Sequence, residues 1–143
     1  MPAYTLAPTD TVIAPDDTIL YRIQYADGTR GGYLQSTANL DPTSDAWVSG
    51  DAQVYGNAQV YGDARVSEPQ HCLTVGPLGS RAEILTVCRD STFSVSYSTG
   101  CFFGSREDFL KAVEATHGNS PIGNAYAAAV MLADHIVPPY MPE

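Results

Sequence analysis

The most reactive side chains in the sequence belong to three cysteines and two of the three histidines. Cysteine and histidine are the usual zinc ligands, and a structural zinc ion needs about four of them. The chain has no Cys-x-x-Cys spacing, and three of the four candidate ligands lie on or beside predicted strands. Ordinary buried thiols are the better interpretation, so we predict no metal, no cofactor and no disulfide. The candidates considered for zinc are His71, Cys72, Cys88 and Cys101.

Cys101 and His117 have the residue types of a nucleophile and its general base. Nothing in the sequence brings them within hydrogen-bonding distance of each other or supplies an acid to orient the histidine. His117 stands beside Gly118 at the end of a predicted helix, where an imidazolium interacts favourably with exposed carbonyl groups. We therefore predict no catalytic residue and no enzyme, while a thiol or acyl-transfer enzyme remains an alternative.

Residues 76–81 combine two glycines, a hydroxyl group and Arg81, a set that could cradle an anion. They do not match any phosphate-loop pattern, and a plain β-turn explains them better. Arg81 is nevertheless kept as a candidate binding residue, because a second functional alternative is an oligomeric protein that sequesters a small nucleotide-like ligand. In that alternative Arg81 or Arg89 would bind the ligand together with tyrosines at subunit seams.

The balance of acidic and basic residues indicates which classes of partner the protein can bind. The 143 residues include 16 acidic and 7 basic side chains, so the net charge is -9. Such a charge repels nucleic-acid phosphates and argues against direct nucleic-acid binding. A partner protein with a basic surface is electrostatically favoured.

The number of cysteines and the lengths of the apolar runs indicate the cellular compartment of the protein. Three cysteines are an odd number, and the segment MPAYTLAPTD has no basic region followed by an apolar stretch. No apolar run approaches the roughly 20 residues that cross a bilayer. We therefore expect reduced thiols, no membrane insertion and a cytoplasmic location.

The positions of these side chains depend on the elements around them. The length predicts a single compact unit, 1–143, with a β-rich lead-in at 4–43, repeats at 44–67, an α+β module at 72–137 and a tail at 138–143. Apolar and polar residues alternate over 19–25, the turn pair Asp27-Gly28 follows, and 32–35 can return as the partner strand. The lead-in is therefore predicted to contain a β-hairpin.

Four six-residue units follow one another without a slip from residue 44 to residue 67. Each unit has alanine at its third position and valine at its fifth, and three of the four begin with glycine followed by Asp or Asn. A helical period cannot produce this pattern, whereas a coil of three flat faces with six residues to a face does. The sequence therefore predicts a short left-handed β-helix. Its outward positions supply the candidate binding residues Asp51, Tyr55, Tyr61 and Asp63.

The module at 72–137 is predicted to be a β-hairpin covered by two helices. Strand-like runs occupy 84–89 and 92–98, and the second continues towards 101–103. Ser105 caps a first helix that ends at Gly118, and Ser120-Pro121 begin a second helix that ends at Pro138. The whole chain is thus predicted to have an α+β fold.

The repeats resemble the runs of type G-[ND]-A-x-V-[YS] found in accessory proteins of phages and prophages. The resemblance extends to the lead-in through Gly31-Gly32-Tyr33-Leu34 and Asn39-Leu40, and to the C-terminal module through 74–81, 100–104 and 109–118. It spans about residues 19–137, although this chain has a shorter repeat array and carries Tyr33 where the relatives usually have Trp. The resemblance implies a phage or prophage origin, and with it a location in the host bacterial cytosol. It also implies a repeat coil with a C-terminal α+β module, and it implies no activity.

Small size, acidity, a phage-type sequence and the lack of a catalytic set favour one function. We expect a non-enzymatic interaction protein that binds and inhibits a host protein, such as a defence component of the CRISPR-Cas kind. Four hexads make little more than one turn of coil and would leave two open ends of backbone groups. A second copy could cover them, so we expect a homo-oligomer, with a dimer first and a trimer next.

Overall fold

The computed structural model describes residues 3–56, 58–60, 62–78, 83–99 and 102–140. In these residues it has ten strands and, towards the C-terminus, two helices, so the prediction of a mixed α+β fold is confirmed. The elements are β1 (Tyr4–Ile13), β2 (Ile19–Tyr25), β3 (Arg30–Leu34), β4 (Trp47–Val48), β5 (Gln53–Val54), β6 (Arg65–Val66), β7 (Cys72–Leu78), β8 (Glu83–Asp90), β9 (Ser94–Thr99), β10 (Phe102–Ser105), α1 (Arg106–His117) and α2 (Pro121–Ile136).

The first sheet has the strand order β1-β2-β3-β5. The predicted hairpin is confirmed as the antiparallel pair β2 and β3, with Tyr21 opposite Leu34. The strand β1 was not predicted, and it pairs antiparallel with β2 from Tyr4 opposite Tyr25 to Ile13 opposite Ile19. β5 adds to the other side of β3 in the parallel direction and so joins the hairpin to the repeats.

Parallel pairs connect the lead-in and the first repeat to later repeats. Val48 lies opposite Val66, Leu34 opposite Val54, and Leu40 opposite Val60. The partners are eighteen residues apart in the first pair, which is three six-residue repeats, and twenty residues apart in the other two. The valine and alanine columns of the repeats are 3% exposed or less, as the pattern predicted. Two leucines of the lead-in extend the valine column, a role that the sequence did not reveal.

Glycines occupy turns of the repeats and also the closest contacts beside them. Gly50, Gly56 and Gly62 all have φ between +60° and +69°, a left-handed conformation that glycine adopts without steric cost. Gly31 and Gly32 have a different function. A Cβ at Gly31 would lie 2.7 Å from the carbonyl oxygen of Val48, and one at Gly32 would lie 2.8 Å from that of Ala52. Only glycine lets β3 approach the repeats this closely.

The C-terminal sheet is wider than predicted. Its order is β10-β9-β8-β7, with antiparallel neighbours throughout, so the predicted hairpin is the centre of four strands. The strand β7 was missed because Gly76-Pro77 interrupts its pattern. Both helix starts are confirmed, since the side chain of Ser105 accepts from the backbone N–H of Asp108 and that of Ser120 from the N–H of Gly123, each at 3.1 Å.

The helices cover one face of this sheet. Apolar side chains from both layers form a second core that is separate from the interior of the repeats. Its aromatic centre is the stacked pair of Tyr97 and Phe109, with ring centroids 5.1 Å apart and Tyr126 edge-on to Phe109. No helix in the described ranges is both long enough and apolar enough to cross a membrane.

The flanks of the chain cover the ends of the paired repeats. At the first end, the Tyr25 hydroxyl donates to the carbonyl of Val48 and accepts from its N–H, at 3.0 and 2.9 Å, and the Tyr4 hydroxyl donates to the carbonyl of Leu40 at 2.5 Å. At the other end, Arg89 Nε donates to the carbonyl of Arg65 at 2.8 Å. The expected open ends are therefore not present on these faces, because a tyrosine or β8 occupies the place of a neighbouring strand.

Candidate protein-binding groove

Two aromatic rings lie flat against each other beside the first repeat. Trp47 belongs to the outward column of the repeats, and its ring is parallel to that of Tyr25, with centroids 3.9 Å apart and an interplanar angle of 6°. The two hydrogen bonds between the Tyr25 hydroxyl and Val48 fix the tyrosine ring. Burial raises the pKa of Tyr25, partly offset by its hydrogen bond to Val48, so the hydroxyl stays protonated at neutral pH and can donate.

These rings line a surface groove of about 470 Å³ together with three aspartates and one arginine. Asp27 and Asp45 are exposed, and Asp63 is half-buried. Asp27 accepts a hydrogen bond from the backbone N–H of Thr29 at 2.9 Å. The backbone and hydroxyl hydrogen bonds from Thr29 lower the pKa of Asp27, which keeps this carboxylate ionised.

The arginine in the groove is already engaged by the backbone. Arg65 Nη1 donates to the carbonyl oxygens of Asp45, Asp63 and Ala64, at 2.8, 3.2 and 3.0 Å. Its guanidinium therefore ties β6 to the turn before β4. The carboxylate of Asp63 accepts from the Thr92 hydroxyl, which connects the groove to the C-terminal sheet.

Three carboxylates and one guanidinium give the groove a negative balance beside an aromatic surface. Carboxylates accept strong charge-assisted hydrogen bonds from arginine and lysine. Aromatic rings, tryptophan above all, attract the same cations through their faces. The chemistry of the groove is thus that of a receptor for basic side chains.

The structure describes three of the five predicted binding residues and places them apart from one another. Asp63 lies in the groove, whereas Tyr55 lines a different one of about 330 Å³ beside Cys72 and packs against the cluster that contains Tyr33. Asp51 is exposed in the turn that follows Gly50. Tyr61 and Arg81 lie outside the described residues.

Sequence reasoning missed most of the groove. Trp47 lies opposite Arg65, three repeats later, so the repeat period contained a signal that these two side chains are neighbours. No such signal existed for Tyr25 and Asp27, because the antiparallel hairpin brings them to the repeats through tertiary packing. Asp45 precedes the first alanine of the repeats and was treated only as part of the pattern.

The residues considered for zinc and catalysis are placed as follows. Within the described ranges no group of three His, Cys, Asp or Glu side chains could hold a metal ion. Cys72 and Cys88 are neighbours, with their Sγ atoms 3.1 Å apart. The ring of His117 stacks on Tyr126 at 5.7 Å, while Cys101 lies outside the described residues.

His71 has a structural environment. It is 4% exposed, and its Nδ1 accepts from the backbone N–H groups of Ser67 and Glu68, at 3.1 and 3.2 Å. Burial and the nearby Arg89 lower the pKa of His71, against a smaller opposing effect of Glu68. The neutral imidazole therefore closes the turn that leads from the repeats to β7.

Compared with known proteins, the chain matches no family model, no curated protein and no solved structure.

Proposed function

We propose that this protein is a non-enzymatic, phage-derived inhibitor that binds a basic segment of a host protein in the groove around Trp47. The observation that carries the proposal is the Tyr25–Trp47 stack with three aspartates at its edge. The resemblance to phage accessory proteins supports a host partner in the bacterial cytosol, such as a defence component of the CRISPR-Cas kind. Blocking requires only that the bound segment be one that the host protein needs for its own activity.

The energetics favour a basic segment over a small neutral ligand. A cation over an aromatic face contributes about 0.5–2 kcal/mol, and a hydrogen bond to a charged group contributes about 1.5–3 kcal/mol. Two or three such contacts in one groove can dominate the binding free energy when the partner also buries the surface around the groove. The net charge of -9 adds long-range attraction that raises the association rate at low salt.

We also propose that the repeats, together with Leu34 and Leu40, form two turns of a left-handed β-helix. The parallel pairs, the buried valine column and the left-handed glycine corners support this proposal. A rigid coil would give the groove a fixed floor, because Trp47 and Arg65 would occupy the same face of successive turns. Fixed side chains lose little conformational entropy on binding, which favours affinity.

The first experiment uses Trp47 as its own reporter, since it is the single tryptophan in the chain. An arginine-rich peptide is titrated into the protein while tryptophan fluorescence is followed. We expect a saturable change in wild type, at least tenfold weaker binding in Asp27→Asn with Asp45→Asn, and weaker binding as salt rises from about 0.05 to 0.5 M. Asp27→Asn keeps a side-chain oxygen for the Thr29 hydrogen bond and removes only the charge.

Glu107→Gln with Glu114→Gln is the matched control, because it removes two exposed acids on α1 outside the groove. Equal peptide affinity in the groove variant and the control would contradict the proposal. The host partner is then sought by affinity purification from bacterial lysate, comparing wild type with Trp47→Ala. A melting-temperature shift with a nucleotide panel and no response to the peptide would instead favour sequestration of a small ligand.

A further inference from the structure

We propose that Cys72 and Cys88 form a thiol-oxidation site that a small disulfide, such as glutathione disulfide, converts into an intramolecular disulfide. This inference is independent of the groove around Trp47. It goes beyond the sequence prediction, which treated the cysteines as separate buried thiols.

The geometry carries the inference. Cys72 on β7 lies directly opposite Cys88 on β8 in an antiparallel pair. Directly opposed residues of such a pair have Cα atoms about 4.5–5.5 Å apart, within the range of about 4.4–6.8 Å that disulfides span. The two Sγ atoms are 3.1 Å apart, so bond formation needs a movement of only about 1 Å.

The two thiols differ in access to solvent, which gives the reaction an order. Cys72 is half-buried and lines the groove of about 330 Å³ beside Tyr55. Cys88 is 3% exposed and packs into the core of the repeats. A soluble oxidant therefore reaches Cys72 first, and Cys88 acts as the resolving thiol. The hydrogen bond with Cys72 and burial raise the pKa of Cys88, so we expect the second step to speed up with rising pH.

Both steps are thiol–disulfide exchanges. The thiolate of Cys72 attacks one sulfur of glutathione disulfide, forms a mixed disulfide and releases one glutathione thiolate. The thiolate of Cys88 then attacks the Cys72 sulfur and releases the second glutathione. Two protein thiols are oxidised, one glutathione disulfide is reduced to two glutathione molecules, and the two cysteine protons end on the released thiolates.

The new bond would have a local structural effect. β7 is the edge strand of its sheet, and among the described strands it pairs only with β8. The disulfide would tie that edge to the strand that contacts the repeats. We expect the oxidised protein to melt roughly 5–10 °C higher than the reduced one, because the crosslink restricts the unfolded chain.

The full chain is incubated with glutathione disulfide at pH 7.5 and 8.5, alkylated, and analysed by intact mass and peptide mapping. We expect the three free thiols of the chain to fall to one, the protein to lose the mass of two hydrogen atoms before alkylation, and mapping to join Cys72 to Cys88. Closure should be faster at the higher pH.

Cys101→Ser is the matched control and should close equally well, leaving no free thiol. Cys72→Ser should lose closure, whereas Cys88→Ser should stop at the mixed disulfide on Cys72. Three alkylated thiols after oxidation, a bond that involves Cys101, or glutathione that stays on Cys72 of the wild type would each overturn the proposal. Because wild-type mapping alone gives these outcomes, the test does not depend on whether the serine variants fold.

Discussion

The side chain of Asn39 makes three hydrogen bonds, two of which connect the lead-in to the repeats. Its side-chain nitrogen donates to the carbonyl oxygens of Gly56 and Ala58, at 3.2 and 2.8 Å, and its side-chain oxygen accepts from the N–H of Ser36 at 3.1 Å. The residue is 1% exposed. A buried amide that satisfies two carbonyls and one N–H fixes the relative position of the segments it joins.

Replacing Asn39 by Asp keeps the shape and removes both donors. A carboxylate would then face two carbonyl oxygens without solvent, so we expect a loss of about 3–5 kcal/mol in unfolding free energy at neutral pH. Urea denaturation measures this loss. Asn124→Asp, an exposed change in the first turns of α2, is the control and should alter stability by less than about 0.5 kcal/mol. Similar midpoints for the two variants would show that the Asn39 amide is not a structural link.

At the scale of single residues, the sequence predicted positions better than partners. The glycines of the repeats and the caps Ser105 and Ser120 follow from backbone rules that act within a few residues, and the structure confirms them. The roles of Asn39 and Tyr25 depend on carbonyl groups about 20 residues away. No local rule identifies such partners.

At the scale of elements, periodicity decided what could be predicted. The six-residue pattern placed the valine and alanine columns in the interior, and the helix caps placed both helices. The strand β1 was not predicted because Pro8 interrupts the alternation of its sequence. In the structure its register with β2 shifts between Leu6 and Thr11. The same reason applies to β7, whose register shifts between Val75 and Leu78.

Neighbouring residues of one repeat give a matched test of the interior column. Val60 is 1% exposed, whereas the side chain of Gln59 faces solvent. We expect Val60→Asp to unfold or aggregate the protein, because an unpaired buried charge costs several kcal/mol out of a total stability of about 5–15 kcal/mol. Gln59→Asp should melt within a few degrees of wild type. Equal melting temperatures, measured by circular dichroism, would refute an inward valine column.

At the scale of the whole molecule, the groove is assembled from distant parts of the chain. Tyr25 comes from β2, Trp47 and Arg65 come from the first and fourth repeats, and Thr92, in the turn between β8 and β9, binds Asp63. The overall charge was predictable from composition, but its concentration around an aromatic stack was not. Composition indicates a class of partner, and only the fold places the surface that could bind it.

Self-association remains a prediction, although part of its original reason has gone. At Leu40, Val48 and Arg65 the flanking segments cover the ends that a second copy was expected to cover. A different surface now supports it: α2 buries Tyr126 and Val130 against the sheet and exposes Met131, Leu132 and Ile136, which are 64%, 45% and 38% exposed. Of the described residues that follow α2, Tyr140 is held at the sheet, because its N–H donates to the carbonyl of Ser94 on β9.

We expect copies of the chain to pack through this face of α2, with a dimer first and a trimer next. The face is apolar while the chain carries a charge of -9, so repulsion between copies should weaken association at low salt and screening should strengthen it at about 0.5 M. Light scattering at micromolar concentration measures the mass. Met131→Glu with Leu132→Glu should restore the monomer, whereas Ala115→Glu, an exposed change on α1, should not. A mass near 15.3 kDa at every salt and protein concentration would contradict the prediction. The apolar face of α2 would then be exposed to solvent in a monomer.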